Sequence, residues 1–128
     1  LSAMRMEVSV APSGATVIND AYNANPTSML AALDALVAVE ARRRVAILGL
    51  MAEIDDAERA HAEVAAYAAE RGIELIAAGT DLYGIAAADD PVAAAGNVGD
   101  GDAVLVKASR SAGLERVAEL LLTSGATH

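Results

Sequence analysis

Short apolar runs alternate along this chain with segments in which apolar residues recur every three or four positions. The runs are typical of buried strands, and the recurring segments are typical of helices that pack by one face. We predict strands at 5–10, 16–18, 45–48, 73–78, 92–95 and 103–106. We predict helices from Pro26 to near 42–44, from 55 or 56 to Gly72, after 79–81 through 88, and from about 109 past 114–121. This alternation predicts βαβ units around a mainly parallel sheet.

The first two strands are joined by the short turn Ala-Pro-Ser-Gly at 11–14. A turn of that length connects antiparallel neighbours, so the pair is predicted to form a hairpin at one edge. The fold class predicted from the pattern is therefore α/β. In full, we expect a Rossmann-like three-layer domain whose mainly parallel sheet carries an antiparallel edge hairpin.

Several polar residues suit helix ends or packed positions. The arginines at 42–44 are expected to cap the first long helix at its C-terminus. Asp55 with Glu58 resembles a capping box, and Gly72 suits the position after a helix. His61 lies beside the apolar face of its helix, and with no second histidine or cysteine at ligand spacing it is expected to be a packed or capping side chain.

A polar cluster follows the second strand, where Asp20, Tyr22, Asn23 and Asn25 fall within six residues. Asn25 is a good N-cap, and Pro26 suits the first helical position. Open parallel sheets bind ligands at the carboxyl ends of their strands, so this cluster is a candidate binding site. The alternative is that the side chains of Asp20 and Asn23 merely satisfy the backbone of the loop. The spacing alone leaves both interpretations open.

A second cluster follows the strand at 103–106. Lys107, the single lysine of the chain, precedes Ser109, Arg110 and Ser111 at a predicted helix start. Two cations beside a helix N-terminus favour a phosphate or a carboxylate. The alternative is a solvated turn whose cations pair with nearby acidic residues and contribute little.

Composition narrows the classes of partner. The chain has 128 residues, no cysteine and a formal net charge of -9, which disfavours nonspecific binding to nucleic acid or to an anionic membrane. There is neither a secretory apolar segment nor a long uninterrupted apolar run, so we expect a cytoplasmic protein. Because the chain starts with Leu1 and not with methionine, we expect it to be a piece of a longer polypeptide.

Common enzyme motifs are missing from the sequence. It contains neither the Gly-x-x-x-x-Gly-Lys phosphate loop, nor the Gly-x-Gly-x-x-Gly fingerprint, nor the Gly-x-Ser-x-Gly elbow. The acidic pairs at 55–56 and 89–90 are better explained by turn chemistry than by a metal. We therefore predict neither a metal site nor a catalytic residue within the chain itself.

Several motifs in a fixed order carry a resemblance that spans essentially the whole chain. They are Arg5-Met6-Glu7, Asn-Asp-Ala-Tyr-Asn-Ala-Asn-Pro-Thr-Ser-Met at 19–29, Gly-Leu-Met-Ala-Glu at 49–53, His61 and Val-Lys-Ala-Ser-Arg-Ser at 106–111. In this order they resemble the C-terminal domain of the Mur ligases. Among these the chain is most similar to the MurF type, which joins D-alanyl-D-alanine to UDP-N-acetylmuramoyl-tripeptide (UDP-MurNAc-tripeptide).

The resemblance implies an ATP-dependent amide-bond ligase of peptidoglycan precursor synthesis. The tripeptide carboxylate becomes an acyl phosphate, which the amine of D-alanyl-D-alanine attacks. Residues 1–128 would be one domain of a three-domain enzyme, inactive alone, with ATP and Mg2+ held mostly by the preceding N-terminal and central domains. Closure of this domain over the central domain would exclude water from the acyl phosphate.

The resemblance also implies roles for single residues. Arg5 matches an arginine that approaches the ATP phosphates, and Asp20 matches a carboxylate that binds the ribose, as suits guanidinium and carboxylate chemistry. Tyr22, Asn23 and Asn25 match the rest of a loop that faces the cleft between domains.

The segment after the last strand matches a Lys-Gly-Ser-Arg motif. We expect Lys107, Ser109 and Arg110 to help bind the dipeptide carboxylate or the acyl-phosphate region.

The chain departs from the family at three positions. The family more often has aspartate in place of Leu50, glycine in place of Asp55 and glycine in place of Ala108. Leu50 argues against a contact between its turn and a cation or the substrate, and Ala108 adds a methyl group beside a candidate site. Another Mur-type ligase, a folylpolyglutamate-type ligase and a non-catalytic α/β binding module therefore stay open as alternatives.

Overall fold

The computed structural model describes residues 6–20 and 24–123. They form a five-stranded sheet with helices on both faces. The strands are β1 (Glu7–Val10), β2 (Thr16–Asp20), β3 (Arg43–Leu48), β4 (Glu74–Ala77) and β5 (Asp102–Lys107). The helices are α1 (Pro26–Ala38), α2 (Ala57–Glu70), α3 (Pro91–Ala95) and α4 (Glu115–Leu122), with a 3-10 turn at Arg110–Ala112.

The sheet has the strand order β1-β2-β5-β3-β4. Only the edge pair β1 and β2 is antiparallel, with Val8 opposite Ile18, and the other neighbours run parallel. The predicted α/β class with an antiparallel edge hairpin is confirmed. Strand β5 lies between β2 and β3, so its carboxyl end meets both of theirs.

Two apolar layers sandwich the sheet. Side chains alternate along β5: Leu105 packs with α1 and α2, whereas Val104 and Val106 pack with α3 and α4. Such alternation is what a strand covered on both faces requires. The domain is thus the predicted three-layer sandwich, with both cores ending at the same carboxyl rim.

The start of α1 is as predicted. Asn25 is the N-cap, its side chain accepts from the backbone N–H of Ser28, and Ser28 Oγ accepts from the N–H of Asn25, which completes a capping box. The predicted end is wrong, because α1 stops at Ala38 and Arg43 and Arg44 lie in β3. Arg44 nevertheless caps α1, since its guanidinium donates to the carbonyls of Leu36 and Val39.

Four further predictions about local structure are wrong. Residues 79–88 form turns rather than a helix, and 92–95 belong to helix α3 rather than to a strand. Residues 91–95 form a helix because the Asp90 side chain accepts from the N–H of Ala93 and Pro91 occupies the first helical position. The last helix starts late because Gly113, at φ +70°, separates the 3-10 turn from α4. The capping box of Asp55 and Glu58 is absent, since Asp56 is the N-cap of α2 without a side-chain bond.

Within the ranges 6–20 and 24–123, helices are too short or too polar to cross a bilayer.

Candidate functional site

The two polar clusters predicted from the sequence meet at the carboxyl rim of the sheet. Asp20 ends β2 directly opposite Lys107, which ends β5. Lys107 Nζ donates to Asp20 Oδ2 at 2.7 Å, and each side chain is only 2% exposed. Lys107 is therefore not part of a solvated turn. A buried charge needs a partner at close range, and here each residue supplies it for the other.

Beyond the strands, the connections after β3 and β5 stay hydrogen-bonded. The N–H of Gly49 donates to the carbonyl of Lys107, and the N–H of Ser109 donates to the carbonyl of Leu50, both at 2.9 Å. The hydroxyl of Ser109 then accepts from the N–H of Ala52 at 2.7 Å. Ser109 therefore joins the rim of β5 to the β3–α2 loop, which we define as residues 49–56.

Two buried side chains hold that loop from the side of α1 and α2. His61 Nε2 accepts from the N–H of Met51 at 3.0 Å, and its Nδ1 lies 2.6 Å from the carbonyl oxygen of Ala57. The hydroxyl of Tyr83 donates to the carbonyl of Gly49 at 2.6 Å. Burial raises the pKa of Tyr83, so this hydroxyl stays protonated as a donor. The prediction that His61 is a packed side chain is confirmed.

Gly49 explains how the chain tolerates alanine at position 108. A Cβ added to Gly49 would lie 2.6 Å from the Cβ of Ala108, closer than real Cβ atoms approach. The Ala108 methyl group is fully buried against that glycine. It therefore occupies the space between two strand ends.

Arg110 is exposed and opens the 3-10 turn that follows the buried end of β5. The helix N-terminus predicted beside it is not formed there, because α4 starts only at Glu115. The cation is thus presented by a short turn. The side chain of Asn25 caps α1, as predicted from the sequence. Arg5, Tyr22 and Asn23 lie outside the described residues.

Next to this turn lies a cavity of about 380 Å³. Leu50 lines it from the β3–α2 loop, and its walls are apolar apart from Asp89 and backbone groups. The complete lining is Leu50, Ala78, Gly79, Ala88, Asp89, Pro91, Ala112, Leu114 and Val117. The cavity suits apolar ligand groups, and Asp89 at its wall favours a cationic group over an anionic one.

A family model described as "Mur ligase, glutamate ligase domain" matches residues 4–126. The chain belongs to this family. The resemblance inferred from the motifs is thereby confirmed, and the five-stranded sheet described above is the fold of a Mur ligase C-terminal domain.

Curated relatives refine the comparison of this Mur ligase domain. It is 38% identical to the UDP-N-acetylmuramoyl-tripeptide–D-alanyl-D-alanine ligase of Mycobacterium tuberculosis, over 95% of this chain and 31% of that protein. It is 34% identical to the ligase of the same name from Mycobacterium leprae, over 98% of this chain and 31% of that protein. The chain therefore spans about a third of the length of the relatives it matches.

A solved structure agrees with the sequence comparison. The Mur ligase domain superposes on the MurF ligase of Thermotoga maritima, solved in complex with ADP, with a TM-score of 0.71 and 25% identity. The match covers 94% of this chain and 31% of that one.

The described residues of the Mur ligase domain do not suit a magnesium site. Within residues 6–20 and 24–123, no three or more His, Asp or Glu side chains are grouped so that they could hold a metal ion. We therefore derive no chemical step through Mg2+ in this domain.

Sequence reasoning missed two parts of the site. It did not foresee the cavity, because its walls come from four separate segments of the chain. It also passed over Tyr83, whose partner Gly49 lies 34 residues away. One signal was available, since the chain has only three tyrosines and neither Phe nor Trp, so each aromatic residue merits a structural explanation.

Proposed function

We propose that this Mur ligase domain is the C-terminal part of an ATP-dependent ligase that adds D-alanyl-D-alanine to UDP-MurNAc-tripeptide. The observation that carries the proposal is the 38% identity, along 95% of the chain, to a ligase named for that reaction. A cytoplasmic location fits an enzyme that consumes ATP and a UDP-linked precursor.

The nucleotide side of the site is proposed at β2. Arg5 would approach the ATP phosphates, and Asp20 would accept hydrogen bonds from the ribose hydroxyls. A carboxylate oxygen accepts more than one hydrogen bond, so Asp20 can accept from the ribose hydroxyls while it stays paired with Lys107. Lys107 would then act on the nucleotide through Asp20, since its ammonium group is buried against that carboxylate.

The amino-substrate side is proposed at β5 and β3. Arg110 is exposed at the rim and suits the carboxylate of the dipeptide, because a guanidinium binds carboxylates with two parallel hydrogen bonds. Ser109, which is held by its hydrogen bond from the N–H of Ala52, would lie beside the bound carboxylate. Tyr22, Asn23 and Asn25 would complete the loop that faces the cleft.

The cavity beside Leu50 supports an apolar amino substrate. D-Alanyl-D-alanine carries two methyl groups, one ammonium group and one carboxylate. Its methyl groups suit the apolar walls, and its ammonium group suits Asp89. Glutamate and diaminopimelate carry further charged groups that these walls cannot pair.

The rest of the enzyme would supply what this domain lacks. We propose that N-terminal and central domains precede it, bind UDP-MurNAc-tripeptide and hold most of the ATP and Mg2+. This domain would close over them. Closure would shield the activated carboxyl group from water until the dipeptide amine attacks it.

The test is turnover by the full-length enzyme. Release of ADP and phosphate is measured with UDP-MurNAc-tripeptide and ATP, with D-alanyl-D-alanine, meso-diaminopimelate or glutamate as amino substrate. We expect turnover only with the dipeptide. Turnover with one of the other amines would assign the domain to a different Mur-type ligase, and absence of turnover with every amine would favour a binding module.

Two arginines provide a matched pair for the site. Arg110→Ala is expected to raise the KM for the dipeptide about tenfold or more, because a charge-assisted bond to a carboxylate is lost. Arg59→Ala removes an exposed arginine that pairs with Glu63 on α2, on the opposite face of the sheet from the cavity. It should leave the KM unchanged. Equal effects of the two variants would refute the role of Arg110.

A further inference from the structure

His61 has a defined protonation pattern inside the domain. Its side chain is fully buried, and the two ring nitrogens face opposite kinds of partner. Nδ1 carries the proton, because it faces the carbonyl oxygen of Ala57 at 2.6 Å, and Nε2 must accept, because it faces the N–H of Met51 at 3.0 Å. The imidazole thus bridges helix α2 and the β3–α2 loop.

Tyr83 supports the same segment from a third direction. Its ring packs edge-on against His61, with centroids 4.8 Å apart and planes at 67°. Its hydroxyl donates to the carbonyl of Gly49 at 2.6 Å. Backbone groups on both sides of Leu50 are therefore held by buried side chains, at Gly49 by Tyr83 and at Met51 by His61.

The β3–α2 loop contains unfavourable backbone geometry. Glu53 and Asp56 both adopt left-handed conformations, with φ of 56° and 48°, although neither is glycine. Such residues persist only where the surroundings impose the conformation. Asp56 also lacks the side-chain bond with which an N-cap usually stabilises its helix. This loop therefore depends on its contacts with His61, Tyr83 and Ser109.

Leu50 connects this support to the site. Met51 packs into the core below α1 and α2, where His61 lies, whereas Leu50 lines the cavity beside α4. In the strand order, β3 is separated by β5 from β2 and its Asp20. A shift of residues 49–51 would consequently deform the cavity wall directly, whereas it would reach Asp20 only indirectly, through the hydrogen bond of Gly49 to Lys107.

We propose that His61, assisted by Tyr83, is a positioning residue that fixes Gly49 to Met51 so that Leu50 forms the wall of the amino-substrate cavity. This role rests on the proposed function for its kinetic consequence. Its structural consequence, the ordering of the Met51 amide, stands independently. The loop contributes to the site through this placement rather than through a charge, which agrees with leucine in place of the family's aspartate.

Two amide variants of His61 separate the two bonds. In His61→Gln the amide oxygen can reach the place of Nε2 and accept from Met51. In His61→Asn the shorter amide can replace only the Nδ1 bond to Ala57. Both variants bury one neutral amide, so loss of packing affects both, and they differ in which bond survives: the bond to the loop in His61→Gln and the bond to Ala57 in His61→Asn.

The experiment uses the full-length enzyme and two readouts. Steady-state kinetics gives the KM for D-alanyl-D-alanine and for ATP, and hydrogen–deuterium exchange reports on the peptide that contains Met51. For His61→Asn we expect the dipeptide KM and the exchange rate of Met51 to rise about tenfold or more, with the KM for ATP unchanged. His61→Gln should restore both values to within about threefold of wild type.

Tyr83→Phe provides an independent variant, because it removes only the hydroxyl and keeps the ring against His61. We expect it to raise the dipeptide KM. Its control is Tyr67→Phe, which removes an exposed hydroxyl bonded to Asp34 on the surface formed by α1 and α2. Tyr67→Phe should behave as wild type.

The outcomes are distinguishable. Equal kinetics for His61→Asn and His61→Gln, or equal rises in both KM values, would overturn the positioning role and leave His61 as a core residue. Faster exchange without a change in the dipeptide KM would overturn the link to the amino substrate. If the wild-type enzyme does not use the dipeptide, the proposed function fails, and the exchange comparison alone decides whether His61 orders the loop.

Discussion

Removal of the ammonium group of Lys107 should strongly destabilise the domain. Lys107→Met keeps most of the aliphatic stem and deletes the charge that lies 2.7 Å from Asp20 Oδ2. Asp20 stays in place, 2% exposed, with its charge partner gone. An uncompensated charge in such a position is far more costly than the loss of a surface ion pair.

The expected size follows from the burial of both partners. Breaking a buried ion pair from one side costs about 3–5 kcal/mol, out of a total stability of about 5–15 kcal/mol for an ordinary domain. The free energy of unfolding of small domains falls by about 1–3 kcal/mol per molar urea, so this loss lowers the urea midpoint of unfolding by about 2 M. Lys107→Met would therefore lose a large share of the stability of the domain.

The assay is urea unfolding of the 128-residue chain, followed by circular dichroism, for a complete double-mutant cycle. The double variant Asp20→Asn with Lys107→Met replaces both charges by neutral groups and should recover more than half of the loss. Arg59→Met supplies the surface control, because Arg59 and its partner Glu63 are 74% and 67% exposed. Its unfolding midpoint should match that of wild type.

Two results would refute the reasoning. A loss below about 1 kcal/mol in Lys107→Met would mean that the pair is effectively solvated. A double variant as unstable as Lys107→Met would mean that the loss does not come from an uncompensated charge on Asp20.

Three further predictions concern the rim and the sheet. Gly49→Ala should lower the free energy of unfolding by about 1–3 kcal/mol because of the clash at 2.6 Å with Ala108, and a second change, Ala108→Gly, should relieve most of that loss in urea unfolding. Burial raises the pKa of Tyr83 in the folded domain. The stability that the buried, protonated hydroxyl contributes is therefore complete below the unfolded pKa near 10.0 and is lost as the pH rises above that value. Unfolding midpoints measured from pH 8 to 11.5 should fall less steeply in Tyr83→Phe than in wild type. The hydrogen bond from Arg43 lowers the pKa of Glu74 in the folded domain. The stability that this ion pair contributes is therefore present above the unfolded pKa near 4.5 and is lost as the pH falls. Glu74→Gln should be less stable than wild type at pH 7, and the stabilities of the two proteins should converge below pH 4.

The fold was predictable from the sequence where the local pattern and the tertiary packing agree. Strand β5 contains the unbroken apolar run at 103–106 and lies in the centre of the sheet, and α1 begins at the Asn25 and Pro26 signal. Predictions failed where a short segment had two plausible states. Residues 92–95 have the composition of a short strand or a helix, and the cap from Asp90 decides for the helix.

The sequence indicated where the site lies but not which of its side chains contact each other. The ends of β2 and β5 were expected to carry polar groups, yet nothing local indicates that Asp20 and Lys107 pair, because 87 residues separate them. The same holds for the support of the β3–α2 loop, whose partners come from α2 and from the β4–α3 connection. Such contacts depend on strand order, which the sequence pattern does not specify.

The most direct test of the central claim is the dependence of turnover on the dipeptide. The full-length enzyme is incubated with ATP and UDP-MurNAc-tripeptide, and the release of ADP and phosphate is followed with and without D-alanyl-D-alanine. Our account predicts that release requires the dipeptide and that the product mass increases by one dipeptide less one water. Release that is indifferent to the dipeptide, or that requires another amine, would contradict it.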